Sequence, residues 1–367
     1  MKLSRVAIAT VALTSGHAFA QSIINLGVLS GDSSSSAVGI SGDGSTIVGL
    51  SRTTGSSAFR AFRWTAGTGM QDLSTPVTGT NPNATGISGD GNTIIGGYQN
   101  NSASVRGAFR WTSTGGMQIF GTQGLQITAD AVSNDGSTIA GKMKTGTNSY
   151  GGYVWTQAQG FVSTGAFESI KCSGDGSTVV GKTGDNLSPV AARWTSAGGV
   201  QTLTGMLPGS YISYASAVNA DGSLIAGITM DNATGERQAF RWTAATGMLR
   251  VTAMAGATGV MNIYGMSSNA SVMVGSCMMP GGSQSAFIWK ESLGGMVSLS
   301  SYLASSGVNL TGWTLTTAMG VSADGTVITG TGRFNGADRA FVVVVPAPGA
   351  IALLGMAGIA ARRRRRG

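Results

Sequence analysis

Short apolar runs alternate with polar, glycine-rich segments along most of the chain, a pattern typical of β-strands joined by tight turns. The first copy of the pattern predicts four strands, over residues 37–41, 46–50, 61–65 and 70–73. Gly42-Asp43-Gly44 predicts a hairpin turn between the first two strands, because glycine and aspartate accept a positive φ. No apolar period of 3.6 residues runs through the chain, so the sequence predicts an all-β fold.

The pattern recurs seven times with a period in the forties, which is typical of stacked sheets. The hairpin turn holds aspartate in every copy except the sixth, where Asn269 stands, and the turns are spaced by 47, 45, 40, 46, 48 and 55 residues. A tryptophan follows each of the first six turns, at spacings of 47, 44, 39, 48 and 47 residues. The turn aspartates are Asp43, Asp90, Asp135, Asp175, Asp221 and Asp324, and the tryptophans are Trp64, Trp111, Trp155, Trp194, Trp242 and Trp289.

Both sets are interpreted as structural. An indole ring that recurs once per repeat suits a large apolar wedge between neighbouring sheets. Calcium binding at the turns is not expected, because Ca²⁺ takes about six to eight oxygen ligands and each turn offers one carboxylate. The sequence therefore predicts no metal site and no cofactor in the repeats.

The seventh copy ends after its third strand, residues 340–345, while residues 23–29 before the first copy resemble a fourth strand. Pairing of these two segments would close a ring and leave no long sheet edge open. The sequence therefore predicts a seven-bladed β-propeller of four-stranded blades over residues 21–345, with the last blade closed by the N-terminal strand. The alternative is a linear solenoid, whose end repeats should be polar caps.

The first twenty residues have the layout of a cleaved secretory signal. Lys2 and Arg5 precede an apolar run over residues 6–13, and Ala18-Phe19-Ala20 precedes Gln21. We therefore expect signal peptidase to remove residues 1–20 from an exported protein.

Residues 346–367 form a second atypical segment. Two prolines are followed by thirteen apolar or glycine residues and a basic end. Thirteen helical residues reach about 20 Å, short of the roughly 30 Å hydrocarbon core, so a permanent anchor is the weaker alternative. The residues that define the segment are Pro346, Ala347, Pro348, Arg362, Arg363, Arg364, Arg365 and Arg366.

This order of elements resembles the PEP-CTERM sorting signal of Gram-negative bacteria, with Ala347 where glutamate is usual. The resemblance implies transient membrane contact through the tail and cleavage by an exosortase-type processing enzyme. It also implies that the protein is located at the cell surface or outside the cell.

The basic character of the chain comes from these two ends. The whole chain has 23 basic and 15 acidic residues, but residues 1–20 and 346–367 contain 7 of the basic ones and no acid, which leaves 16 against 15. The remaining arginines and lysines are scattered singly. Nucleic-acid binding is not predicted, because it needs basic residues clustered on one face.

Imidazole chemistry is excluded from the mature chain, because His17 is the only histidine and lies in the predicted signal. Cys172 and Cys277 belong to different repeats and different strand positions. A disulfide needs Cα atoms about 5.5 Å apart, so we expect both cysteines to be free and buried. No catalytic residue is predicted.

Three boxes are near-identical: Ala61-Phe62-Arg63-Trp64, Ala108-Phe109-Arg110-Trp111 and Ala239-Phe240-Arg241-Trp242. With their Gly-Met partners they resemble the HAF-repeat family of exported bacterial proteins, over about residues 23–345. The histidine of that family is absent here, and the resemblance implies a surface location more than a defined activity. The box arginines are expected either to pair with turn aspartates or to lie on an outer surface.

Recognition is expected in the irregular segments, which a propeller would gather on one face. Aromatic rings with polar tips suit carbohydrate or protein surfaces, although these rings could instead fill the channel or extend strands. The candidate ligand-binding residues are Tyr98, Tyr211, Tyr214, Tyr264, Tyr302 and Trp313.

The preferred functional prediction is a non-catalytic cell-surface or extracellular-matrix protein, an interaction scaffold associated with exopolysaccharide or the cell envelope. Its expected partners are a polysaccharide or another envelope protein. The alternatives are a glycan-binding module and a histidine-independent carbohydrate-active enzyme, either a lyase or a glycosidase that uses two carboxylates.

Overall fold

The structure is a computed structural model that describes residues 22–345 apart from residues 54, 56–58, 74–79, 101–104, 121–125, 147–149, 185–186, 206 and 260. The predicted signal (1–20) and sorting tail (346–367) lie outside the described residues. Within the described part, no helix is long and apolar enough to cross a bilayer.

In the described part of the chain, twenty-eight strands form seven four-stranded antiparallel sheets, which are the blades of a seven-bladed propeller. The first strand, β1 (Ile23–Asn25), belongs to the last blade. Blades one to three contain β2 (Ser34–Ile40), β3 (Thr46–Arg52), β4 (Phe59–Thr65), β5 (Gly69–Asp72); β6 (Thr80–Ile87), β7 (Thr93–Asn100), β8 (Val105–Thr112), β9 (Gly116–Phe120); and β10 (Ile127–Val132), β11 (Thr138–Lys144), β12 (Tyr150–Thr156), β13 (Gly160–Gly165).

Blades four to seven complete the ring. They contain β14 (Glu168–Cys172), β15 (Thr178–Thr183), β16 (Val190–Thr195), β17 (Gly199–Thr202); β18 (Ser210–Val218), β19 (Ile225–Asp231), β20 (Arg237–Thr243), β21 (Gly247–Arg250); β22 (Met261–Met266), β23 (Val272–Met278), β24 (Gln284–Lys290), β25 (Gly295–Ser298); and β26 (Trp313–Val321), β27 (Val327–Phe334), β28 (Ala337–Val344) with β1.

The ring closes through the two ends of the chain, as the sequence predicts. Ile24 pairs with Val342 in the antiparallel β1–β28 ladder, and the Leu26 N–H donates to the Ala340 carbonyl at 3.0 Å. The strand is shorter than predicted because Gly27 has φ +78°. The last blade therefore has four strands, like the other six.

Hairpin turns with aspartate join the first and second strands of six blades. In the first blade, Asp43 Oδ1 accepts hydrogen bonds from the Ser41 hydroxyl at 2.5 Å and the Ser45 N–H at 2.9 Å. Burial alone would raise the pKa of this carboxyl, but these hydrogen bonds hold it below the ordinary value. The box arginines do not pair with these turns: Arg63 donates to the Thr46 hydroxyl at 3.4 Å.

The core lies between the blades, where the phenylalanine of each full Ala-Phe-Arg-Trp box is fully buried. Trp64, Trp242 and Trp289 are also buried, whereas the other three repeat tryptophans are half-buried. Arg193 lies over the Trp242 ring of the next blade, 5.1 Å from its centroid, so the box arginines help to pack neighbouring blades.

Among the described residues, one α-helix departs from the all-β prediction. Helix α1 (Leu299–Ser305) follows β25, and the Ser298 hydroxyl caps it by accepting from the Ser301 N–H at 3.4 Å. Leu299 and Leu303 are buried against the last two blades. This insertion explains the 55-residue spacing before the last turn.

Both cysteines are free. Cys277 is buried, and Cys172 occupies the strand position held by Ile40 and Ile87 in the first two blades. Burial raises the pKa of the Cys172 thiol to about 12, so this thiol stays protonated at neutral pH.

Candidate functional site

The innermost strand of every blade borders a central channel, and each of these strands carries a β-bulge at the same position. The pairing register skips one residue there, which leaves an extra residue facing the channel. The seven bulge residues are Val38, Thr85, Asp130, Ile170, Ser216, Tyr264 and Met319.

The bulge explains the glycine in the second strand of each repeat. A Cβ added to Gly49 would lie 2.1 Å from the Ser36 carbonyl oxygen and 2.7 Å from the Phe62 ring. The same approach to the carbonyl recurs in the other six blades, at 1.9 to 2.1 Å, for Gly96, Gly141, Gly181, Gly227, Gly275 and Gly330. Glycine therefore allows the close backbone approach that positions the channel wall.

The hairpin face of the channel carries a closed ring of backbone hydrogen bonds, one for each pair of neighbouring blades. The Gly42 N–H donates to the Gly89 carbonyl at 2.7 Å, and the ring is completed where Ala323 N–H donates to the Gly42 carbonyl at 2.8 Å. The residues are small at most of these positions, which keeps the turns close together. This ring of hydrogen bonds holds the hairpin turns together at the narrow end of the channel. The opposite end of the channel is its mouth.

The residue after each bulge distinguishes one blade from the others. Six blades place glycine or alanine there, whereas the fourth places Lys171. The six small residues are Gly39, Gly86, Ala131, Ala217, Gly265 and Gly320. A single long cationic side chain therefore occupies a layer in which the other blades contribute almost no side-chain volume.

Lys171 borders two sections of the channel, a lower one of about 170 Å³ and a mouth cavity of about 540 Å³. Its ammonium makes no hydrogen bond and no ion pair within 4.0 Å among the described residues. Burial lowers its pKa, and the negative charge of Asp130 opposes that effect. A cation deep in the channel thus lacks a protein partner.

Asp130 lies on the neighbouring inner strand and borders the lower section. Its Oδ2 accepts a hydrogen bond from the Thr128 hydroxyl at 3.1 Å. Burial raises its pKa to about 6, although the positive charges of Lys142 and Lys171 and the Thr128 hydrogen bond act in the opposite direction. The pKa values of the Asp130 carboxyl and the Lys171 ammonium are therefore both shifted toward the neutral forms of these groups.

A second group of charges lies at the start of the fourth inner strand. Glu168 accepts from Lys142 at 3.3 Å and from Lys182 at 3.4 Å, so two cations share one carboxylate. The Lys182 ammonium also lies 5.6 Å from the centroid of the Tyr214 ring. These contacts position the Tyr214 ring at the edge of the mouth.

The mouth cavity combines apolar and polar walls. Val38, Ile170 and Ile228 contribute apolar surface, while Asn83 and Asn262 contribute amides. Such a mixture of apolar area and a few polar groups is typical of small-molecule sites.

Arg237 adds a cation to this wall, and its Nη1 donates to Asn262 Oδ1 at 3.3 Å. Arg237 lies at the start of β20, next to the loop that joins the second and third strands of the fifth blade. The sequence analysis did not identify this arginine.

Three of the six candidate aromatic residues lie on the mouth side. Tyr214 and Tyr264 line the cavity. Tyr211 is 40% exposed, and its hydroxyl lies 3.2 Å from the sulfur of Met230.

The other three candidates pack within or against blades, with Tyr302 on helix α1. Tyr98 covers Gly107, where an added Cβ would meet the tyrosine ring within 2.3 Å. The Tyr302 hydroxyl accepts from Lys290 at 3.1 Å. Trp313 lies 5.0 Å from the Phe334 ring and 5.9 Å from the Phe341 ring.

Sequence reasoning missed Lys171, Asp130 and Arg237. A signal for Lys171 is present in the sequence, because the residue two before the hairpin serine, or before Asn219 in the fifth copy, is glycine or alanine in the other copies. Across the described residues, no three His, Cys, Asp or Glu side chains come together as a metal-binding group.

No protein-family model matches the sequence, and no curated protein matches it. Several solved structures share the fold. An oligogalacturonate lyase from Vibrio parahaemolyticus is 12% identical with a TM-score of 0.60, covering 88% of this chain and 93% of that one. An oligogalacturonate lyase in complex with manganese is 12% identical with a TM-score of 0.57, covering 84% and 88%.

The propeller domain of the Trilobed protease from Pyrococcus furiosus is 11% identical with a TM-score of 0.57, covering 85% of this chain and 95% of that one. That domain is described as having an open velcro topology. The present chain differs, because β1 pairs with β28 and closes the ring.

These neighbours correct the functional prediction. A non-catalytic scaffold was predicted, and this prediction is wrong as a conclusion from the architecture, because structures of the same fold include lyases. The chain was also predicted not to be an enzyme, whereas the fold is one that enzymes share. Identities of 12% or less show the shared fold, and the chemistry has to be argued from the residues of this channel.

Proposed function

We propose that the channel mouth binds an acidic oligosaccharide and that a sugar carboxylate contacts Lys171. The observation that carries the proposal is the partnerless ammonium of Lys171 at the base of a cavity of about 540 Å³. Lys171 is half-buried in the channel wall, and a ligand carboxylate would supply its ammonium with a counter-charge and charge-assisted hydrogen bonds.

The cavity has the size and lining that such a ligand requires. Its volume lies within the range of about 300–1,000 Å³ found for ligand pockets. Tyr214 and Tyr264 provide rings for the apolar faces of sugars, and Asn83, Asn262 and Arg237 provide donors and acceptors for hydroxyl groups.

The charge balance favours an anion. Lys171 and Arg237 border the mouth cavity, and Glu168 is already shared by Lys142 and Lys182. Asp130 borders the lower section and has a raised pKa. The fold neighbours named as oligogalacturonate lyases make oligogalacturonate the first ligand to test.

Isothermal titration calorimetry with the full-length protein tests this function. We expect tetragalacturonate to bind and a neutral tetrasaccharide such as maltotetraose to bind at least tenfold more weakly. Lys171→Met removes the charge at similar side-chain length, and we expect it to weaken tetragalacturonate binding at least tenfold.

Arg333→Met is the matched control, because Arg333 is 65% exposed and pairs with Asp338 outside the cavity. It should bind as the unaltered protein does. Equal binding of acidic and neutral tetrasaccharides, or unchanged binding by Lys171→Met, would overturn the proposal.

We further propose that this site is displayed outside the cell, after removal of residues 1–20 and sorting through residues 346–367. Val345 precedes the proposed tail and lies on the hairpin face, where its N–H donates to the Thr326 carbonyl at 2.7 Å. Mass spectrometry of the protein from its native host should show a mature chain without either end. An intact arginine-tailed chain outside the membrane fraction would contradict the sorting.

A further inference from the structure

We infer that the channel mouth recognises two carboxylates of one oligosaccharide, the first at Lys171 and the second between Lys142 and Lys182. The ligand class is therefore a chain of successive uronic acids rather than a neutral chain with one acidic sugar. This inference rests on the proposed function, because it adds a second contact for the ligand proposed to bind there. The new contact lies beside the cavity, on charged residues to which the proposed function gives no role.

The position of the two lysines follows from the repeat. In each blade, the residue after the glycine of the second strand lies opposite the inner-strand residue two before the bulge. In the first and fifth blades this residue is Leu50 or Ile228, and both line the mouth cavity. In the third and fourth blades it is Lys142 or Lys182. The two lysines therefore lie in the layer of the mouth, to one side of the channel axis.

The other three blades place small or neutral residues at this position, namely Gly97, Ser276 and Thr331. All seven positions belong to the described residues, and only those of the third and fourth blades carry a charge. The mouth layer is therefore apolar on the first and fifth blades and cationic on two neighbouring blades. Such an asymmetry favours a ligand with a charged side.

Glu168 shows that a carboxylate fits between the two lysines. The Lys142 Nζ lies 3.3 Å from Glu168 Oε2, and the Lys182 Nζ lies 3.4 Å from Glu168 Oε1. Two positive charges and one negative charge leave this group of three residues with one net positive charge. Each ammonium has three N–H donors, and its contact with Glu168 uses one of them.

A ligand can reach this group. The three side chains are between 19% and 33% exposed, so they are accessible at the mouth. The net positive charge and the remaining N–H donors of Lys142 and Lys182 suit the carboxylate of a ligand. A neutral sugar at the same place would leave that charge without a counter-charge.

The lysine pair lies close to the first contact of the ligand. Glu168 and Lys171 are three residues apart on β14, so their Cα atoms are at most about 10 Å apart at roughly 3.3 Å per residue. The Lys182 ammonium also lies 5.6 Å from the centroid of the Tyr214 ring, which lines the cavity. One short chain of uronic acids can therefore contact both Lys171 and the lysine pair.

Calorimetry with two acidic ligands tests the inference on the full-length protein. Tetragalacturonate has an acid group on every residue, whereas aldotetraouronate has one uronate on three xylose residues. We expect tetragalacturonate to bind at least about tenfold more tightly, the effect of one further charge-assisted hydrogen bond. Equal affinities for the two ligands would overturn the inference.

Glu168→Gln removes the internal carboxylate and keeps the shape of the side chain. Lys142 and Lys182 then have no carboxylate of the protein between them, so we expect tetragalacturonate to bind about three- to tenfold more tightly. Aldotetraouronate binding should change less, because its single carboxylate contacts Lys171. An unchanged or lower affinity of Glu168→Gln for tetragalacturonate would overturn the inference.

Lys142→Met tests the same contact by loss. It should weaken tetragalacturonate binding several-fold and leave aldotetraouronate binding unchanged. Lys290→Met is the matched control, because the Lys290 ammonium donates to the Tyr302 hydroxyl at 3.1 Å outside the mouth. Thermal melting of each variant shows whether the fold is retained. Equal weakening of both acidic ligands by Lys142→Met would remove Lys142 from the second contact.

The outcomes separate this inference from the proposed function. If aldotetraouronate binds more tightly than maltotetraose and Lys171→Met abolishes that preference, the proposed function stands whatever the result for Glu168→Gln. If neither acidic tetrasaccharide binds, both the proposed function and the inference are overturned.

Discussion

Asn25 lies directly opposite Phe341 in the ladder that joins the two ends of the propeller. More than three hundred residues separate them in sequence, so this short ladder holds the last blade to the rest of the chain. Ile24 in the same strand packs partly buried against the core shared by the first and last blades.

Ile24→Ala should destabilise the protein by about 1–2 kcal/mol, less than a fully buried residue because Ile24 is partly exposed. The free energy of unfolding from urea titration measures this effect. Val200→Ala is the control, since Val200 is 37% exposed on the outer strand of the fourth blade and should cost under about 0.5 kcal/mol. Equal losses for the two variants would mean that closure contributes no special stability.

Gly49→Ala should destabilise the protein by about 3 kcal/mol, because the added Cβ would lie 2.1 Å from the Ser36 carbonyl oxygen. Phe62→Leu should not rescue it, since the closest obstacle is backbone. Gly67→Ala, with no atom within 4 Å of the added Cβ, should leave the melting temperature unchanged. A stable Gly49→Ala protein would mean that the bulge can shift.

Ala270→Gly should stabilise the protein by about 0.5–1 kcal/mol. Ala270 has φ +58° at the turn position where the other copies place glycine. A left-handed conformation costs a non-glycine residue roughly 1–2 kcal/mol. Glycine avoids this cost, but it loses more backbone entropy on folding, which offsets part of the stabilisation. Thermal melting measures the change, and Gly44→Ala at the matching turn should lower the melting temperature. A lower melting temperature for Ala270→Gly would contradict backbone strain at Ala270.

Asp130 should make the unaltered protein less stable as pH rises through about 6. Its folded pKa is raised above 3.8, so the folded state holds the proton more tightly and the stabilisation is lost between about pH 4 and 6. Asp130→Asn should flatten this part of the pH–stability curve in urea titrations. The lowered pKa of Lys171 acts with the opposite sign, because stability rises with pH from this lowered pKa up to the ordinary value of 10.5. An unchanged curve for Asp130→Asn would show that Asp130 does not titrate there.

The fold could be predicted because the repeat encodes it redundantly. Each copy carries the hairpin turn and the glycine of the second strand, three copies carry the full Phe-Arg-Trp box, and the truncated seventh copy matches the N-terminal strand. Helix α1 was missed because only Leu299 and Leu303 mark its buried face, and seven residues are too few for a period to emerge.

The site could be predicted only in part. Tyr214 and Tyr264 were selected as aromatic residues, and both line the cavity. Lys171 was not selected, because the bulges decide which residue of each inner strand faces the channel. The alternating sequence pattern of a strand does not show where a bulge lies. The glycine opposite each bulge was visible in every copy, but its contact with a carbonyl oxygen exists only in three dimensions.

The seven inner strands repeat one wall, yet Lys171 occurs on a single one of them. A molecule on the pseudo-sevenfold axis therefore meets seven similar walls and only one ammonium. The expected stoichiometry is one ligand per chain, bound in a single orientation, whatever the number of blades.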